Sequence, residues 1–145
     1  MYKRQISSRV SPGEFAYQVQ RAVEEDDVRL VIVDSLTGYA SATGEASQLA
    51  LRMHELLGWL SRSGVLSVVV AARGSGVTRI DLGYLSDTIL VFRWLEHAAT
   101  VRRCVAAVKK RHGEHDTTLR ELFIGPGLVS VTGEPLAELR PQERR

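Results

Sequence analysis

Lysine is nearly missing from this chain. Only three of its 19 basic residues are lysines (Lys3, Lys109 and Lys110), and the rest are arginines. A phosphate-binding P-loop needs the pattern G-x-x-x-x-G-K-[ST], because its backbone amides cradle the phosphates while its lysine reaches the terminal ones. Here the lysines follow Tyr2, Val108 and Lys109, none of them glycine, so these 145 residues contain no P-loop. Cysteine is just as scarce. A lone Cys104 cannot form an internal disulfide, which predicts a reducing, cytoplasmic setting. No apolar run is long enough to span a bilayer, and the opening residues lack a signal-peptide pattern. The net charge of +2 is small and the arginines are scattered, which argues against nucleic acid as a partner. There is no internal repeat, no low-complexity stretch and no G-x-S-x-G nucleophile elbow, since Gly74-Ser75-Gly76 has the wrong spacing.

What remains is an ordinary globular composition, 44% hydrophobic and 25% charged, in a chain long enough for one domain with a sizeable core. Ser11-Pro12-Gly13-Glu14 has the form of a capping box with proline at the first helical position. With Phe15, Val19, Ala22 and Val23 on one face it predicts a helix over 12–25, ending in a turn at the acidic run 24–27. Residues 28–34, VRLVIVD, are a continuous apolar run closed by an acid, the pattern of a parallel strand covered on both faces. Leu49, Met53, Leu56, Leu57 and Leu60 predict a helix over 46–62, stopped by Gly64, and VLSVVVAA (65–72) predicts a second buried strand. Strand, helix, strand at this spacing is a βαβ unit. Residues 73–80 read as a loop. Segments 87–95 and 100–110, separated by 96–99, read as a β-hairpin, with further strands at 119–124 and 128–131 and a polar stretch after Gly133. The fold class is therefore α/β: a parallel sheet flanked by helices, with an antiparallel extension.

An apolar strand ending in aspartate, as at Asp34, has the form of a Walker B element, whose acid helps hold Mg²⁺ against bound phosphates. Ligands of open α/β sheets bind at the C-terminal ends of the strands, where Asp34 is expected. The same pattern also suits a strand-terminal acid that only caps a turn. Ordered along the chain, SPGEF (11–15), VIVDSLTGY (31–39), MHELLGWL (53–60), YLSDTI (84–89), VKKRHGEH (108–115), LREL (119–122) and GEPL (133–136) resemble the KaiC-like ATPases of the RecA superfamily, named for a circadian-clock protein. The resemblance implies a partial RecA-like P-loop NTPase core over residues 6–136, the distal half of one ATPase domain. Met1 to Gln5 read as a non-native opening and 137–145 as a polar tail. It also implies ATP and Mg²⁺ as cofactors, and a ring-shaped homo-oligomer, usually hexameric, with nucleotide between subunits. Asp34 would be the Walker B acid with Ser35 beside it. Lys109 and Arg111 would be cations reaching a neighbour's phosphates, and His115 an accompanying polar contact. A guanidinium binds phosphate bidentately and a lysine acts as a point charge. On an extended strand Lys109 and Arg111 share one side and Lys110 takes the other.

Several positions depart from the family pattern. Ala72 stands where relatives usually carry a glutamine after the second strand. Thr43-Gly44-Glu45-Ala46 replaces a Met-Pro-Glu-Glu loop, and Gly83-Tyr84 aligns with the clock protein's phosphoacceptor Ser-Thr pair, so self-phosphorylation is not expected. The family's paired catalytic glutamates would lie upstream of these residues. Two rival functions stand beside the ATPase. One is a non-catalytic half-domain that binds a ring-forming ATPase; the other is a nucleic-acid module using the Arg73–Arg79 loop. His112, Glu114 and His115 fall short of a metal ligand set. His54 and Glu55 read as surface residues, and Cys104, with Ala106 and Val108 expected on its face, as an inert core thiol.

Overall fold

A computed structural model describes residues 10–43, 46–72, 83–97 and 100–136. The expected opening segment 1–5, the loop 73–80, the hairpin tip 98–99 and the tail 137–145 lie outside the described residues. The chain divides into two compact units, residues 1–85 and 86–145.

The first unit runs α1 (Pro12–Asp26), β1 (Leu30–Asp34), α2 (Leu36–Thr43), α3 (Ala46–Arg62) and β2 (Leu66–Val70). Ser11 caps α1, its Oγ accepting from the Glu14 amide at 3.3 Å, with proline just inside the helix. Glu14 Oε1 accepts instead from Gln18 Nε2 at 3.1 Å, so the contact shown for its side chain runs along the helix. After Asp26 the chain turns at Asp27, which has φ 52°, and Arg29 pairs with its carboxylate at 2.6 Å.

Helix α3 occupies the expected 46–62 and ends in a Schellman motif. Val65 N–H donates to Leu60 O at 3.0 Å and Gly64 N–H to Ser61 O at 3.2 Å, with Gly64 at φ 70°, where a Cβ would be strained. The same step buries Val65 against the core and delivers the chain into β2. Leu49, Met53, Leu56 and Leu60, spaced four, three and four apart, are all at most 2% exposed and form the core with Val19, Val33, Leu36 and Ala40.

β1 and β2 pair in parallel, with Leu30 opposite Leu66, Ile32 opposite Val68 and Asp34 opposite Val70. The expected βαβ unit is present, but its crossover holds two helices. α2 escapes a periodicity reading because Leu36–Thr43 is rich in weak helix formers; its start is marked by Ser35, whose Oγ accepts from the Gly38 amide at 3.2 Å. The expectation that both strands are covered on both faces fails. Val31, Val33 and Val69 face the helices, whereas Leu30, Ile32, Leu66, Val68 and Val70 are 42–64% exposed. Among the described residues the helices cover one side only.

The second unit is a four-stranded antiparallel sheet in the order β3 (Thr88–His97), β4 (Thr100–Lys110), β5 (Arg120–Gly125), β6 (Leu128–Pro135). Glu96 and His97, expected in the hairpin turn, belong to β3. β6 runs to Pro135, past the expected end at 131, and the Leu136 amide continues to Leu119 O at 3.0 Å. Pro126 and Gly127, the latter at φ 69°, close the β5–β6 hairpin as the central residues of a type II turn. The β3–β4 register slips by one residue between Ile89 and Leu90, making Val108 the extra residue of a β-bulge. Cys104 and Ala106 are buried as expected, and burial pushes the Cys104 thiol pKa up. Val108 does not join them: the bulge leaves it 47% exposed.

The α3 core predicts a sharp contrast in stability. Leu60→Ala should cost about 2–5 kcal/mol, the usual range for a buried leucine that leaves a cavity, whereas Val108→Ala should stay within about 0.5 kcal/mol. Urea denaturation followed by circular dichroism at 222 nm measures both.

Candidate functional site

Asp34 is the last residue of β1, and its carboxylate is exposed at the C-terminal end of the parallel pair. The Asp34–Ser35 peptide is cis. The neighbouring strand end is tied to the same place, because the Ala72 amide donates to Thr37 Oγ1 at 2.9 Å. Asp34, Ser35, Thr37 and Ala72 thus gather where open α/β sheets place their ligands. Ser35 has a structural task here as well, since it caps α2, but its hydroxyl hydrogen can still be donated.

The donor set fits part of a Mg²⁺–nucleotide site. Magnesium usually keeps several waters and takes one or two carboxylates plus phosphate oxygens, so a single exposed carboxylate at a strand end suits it. Among the described residues no cluster of three or more His, Cys, Asp or Glu side chains forms a protein-only metal cage. The phosphate half of such a site does not fit: no lysine in the sequence stands in a P-loop context.

The basic segment lies in the second unit. Lys109 is half-buried and pairs in register with Ile89, while Lys110 is exposed opposite Thr88. β4 ends at Lys110, so the strand alternation expected through Arg111 stops one residue short. Arg111 occupies the bend that follows, where its amide donates to Asp87 O at 2.7 Å and its Nε meets Asp87 Oδ1 at 3.2 Å. Asp87 therefore orients the guanidinium, and a phosphate at Arg111 would share it with this carboxylate. His115 is exposed in the following coil. That coil is pinned at its far end by Asp116, which accepts from the Thr118 hydroxyl, from the Thr118 amide at 2.8 Å and from Arg120 Nη2 at 2.5 Å.

Three contributors escaped the sequence reading. Thr37 was visible only as one residue of a motif. Asp87 meets Arg111 only because the bulge at Val108 advances β4 by one position. Asp116 leaves a trace in the spacing D-x-T, the signature of a side chain turning back onto its own backbone. The Tyr84 hydroxyl lies 3.1 Å from His54 Nδ1, and Glu55 pairs with Arg52 at 2.9 Å.

Residues 2–135 match the sequence model of the family described as ATPase: KaiC. Among solved structures, the KaiC-like protein of the hyperthermophilic archaeon Pyrococcus horikoshii OT3 is similar in fold, with a TM-score of 0.73 and 19% identity. The match covers 84% of this chain and 57% of that one, so this chain spans little more than half its relative's length. No curated protein matches.

The Asp116 cluster carries a pH dependence of definite sign. The Thr118 hydroxyl, then Arg120 and the Thr118 amide, hold the Asp116 pKa down from 3.8 to about 2. A depressed carboxyl stabilises the fold above its unfolded value and loses that contribution as the pH falls through the folded one. NMR titration should place the Asp116 midpoint at about 2, and the stability curves of the wild type and Asp116→Asn should converge as pH falls from 3.8 towards about 2.

Proposed function

The chain belongs to the KaiC ATPase family, and from that premise we propose that it acts as the distal half of an ATP-binding and ATP-hydrolysing domain. In this reading Asp34, with Ser35 beside it, holds Mg²⁺ through water, and Lys109 and Arg111 serve nucleotide bound by a neighbouring subunit of a cytoplasmic ring, hexameric when intact. The observation that carries the reading is the position of Asp34: an exposed carboxylate closing a parallel strand, beside a second strand end anchored by Thr37. Bound Mg²⁺ would neutralise charge on the phosphates, and the arginine would stabilise charge that develops during transfer. The P-loop comes from outside these 145 residues, and hydrolysis requires it.

A second reading, a non-catalytic module docking onto a ring-forming ATPase, draws on the uncovered aliphatic face of β1 and β2. Titration calorimetry of the chain alone with millimolar Mg-ATP should give no heat of binding, because the amide cradle is missing. Saturable binding would show that these residues suffice. The two readings separate in a chain joined to a P-loop-bearing segment. There Arg111→Ala should leave ATP binding intact and slow hydrolysis by on the order of 10³-fold. Mixing Arg111→Ala subunits with subunits lacking the P-loop lysine should restore activity, since mixed rings contain interfaces with both groups intact. If subunits exchange and no activity returns, Arg111 does not act across the interface. Asp34→Asn should weaken the magnesium dependence of the subunit that carries it; an unchanged magnesium dependence would favour the module.

A further inference from the structure

Asp87 and Arg111 face each other just outside the open end of the β3–β4 hairpin, one residue beyond the Thr88–Lys110 pair. Leu90 lies opposite Ala107, so an unbroken register would bring Lys110 level with Asp87. The bulge at Val108 brings Arg111 there instead. The two residues then meet at two points. The Arg111 amide donates to Asp87 O at 2.7 Å, and Arg111 Nε lies 3.2 Å from Asp87 Oδ1. One short residue thus holds both the root of the arginine side chain and its guanidinium. The torsions between those two points belong to a closed loop and cannot turn independently.

The energetics indicate what this contact does. The Arg111 and Asp87 side chains are 47% and 66% exposed, and an ion pair so open to water adds little to the stability of a fold. Its effect is on where the guanidinium sits. An arginine that must find a phosphate gives up much of its rotamer freedom on doing so. Here part of that freedom is lost before any phosphate arrives, because the backbone contact and the carboxylate act together. The guanidinium is planar and rigid, so a carboxylate held at Nε also sets the direction of its outer edge.

We propose that Asp87 is a positioning residue for ATP hydrolysis, holding the Arg111 guanidinium ready for charge that develops on the neighbouring subunit's nucleotide. The proposal rests on the reading of Arg111 as a cation serving that nucleotide. Asp87 acts through Arg111 and touches no phosphate, since two anions side by side repel. The opposite role would be to offset the arginine's charge and so restrain it. In that case removing the carboxylate would speed hydrolysis instead of slowing it.

Steady-state kinetics of the chain joined to a P-loop-bearing segment tests the proposal. Asp87→Ala should lower kcat by about 10- to 100-fold, the scale expected when a reacting group is displaced by about an ångström, and leave the KM for ATP within about twofold. Asp87→Asn should recover most of that loss, because its Oδ1 remains an acceptor beside Nε–H. On an Arg111→Ala background, Asp87→Ala should cost nothing further, since the group it positions is gone. In the 145-residue chain itself, NMR should find the Arg111 Nε–H exchanging with water more slowly in the wild type and Asp87→Asn than in Asp87→Ala. The proposal is overturned if Asp87→Ala leaves kcat unchanged or raises it, if its loss persists in full on the Arg111→Ala background, or if Nε–H exchange is the same in all three chains. An Arg111→Ala chain that hydrolyses normally removes the underlying reading and the proposal together. A slowed Arg111→Ala beside a normal Asp87→Ala removes the proposal alone.

Discussion

A parallel pair of strands buries its apolar side chains only when helices lie against it, and in the first unit that packing decides almost everything else. α3 and α2 lie against β2 with α1 packed on α3, and the nearly zero exposure of Leu49, Met53, Leu56 and Leu60 shows how completely that side is closed. Because side chains alternate along a strand, burying Val31 and Val33 on this side obliges Leu30, Ile32 and Asp34 to face the other. The exposure of Asp34 at the strand end and the uncovered aliphatic face are thus two consequences of one packing decision. A shift of β1 by a single residue would bury the carboxylate and expose the valines.

The second unit obeys a different constraint. Its four strands pair antiparallel in one sheet, an arrangement that can leave one face open to water. The bulge at Val108 is the local feature with the longest reach. It turns Val108 out of the Cys104 row, sets Lys109 opposite Ile89, and brings Arg111 level with Asp87. The coil between Arg111 and β5 is held at both ends, by Asp87 at one and by the Asp116–Arg120 pair at the other. Arg111 is therefore an oriented side chain, and His115 lies in a coil anchored at both ends.

Much of this is legible in the sequence itself. The αβ order, the α3 boundaries, the Gly64 stop and the hairpin strands follow from apolar periodicity and turn residues, which act within a few residues of themselves. What periodicity cannot detect is an element whose residues are poor formers of the structure they adopt. α2 is the example, since Ser35 and tertiary contact build it where propensity does not. Nor can an apolar run reveal how many of its faces are covered: VRLVIVD reads the same whether one side or both are buried.

The sequence by itself determined that Asp34 closes an apolar strand, that no lysine stands in a P-loop, and that a basic run follows a long strand, because each is a matter of neighbours along the chain. Only the tertiary structure decided which neighbours across the chain these residues meet. Thr37 joins the ends of β1 and β2, Asp87 takes hold of Arg111, and Trp94 lies under Arg103 on an open face. Those partners depend on register, and register is set by bulges and by which face a helix covers. Both arise from contacts between residues far apart in sequence, where no local pattern records them.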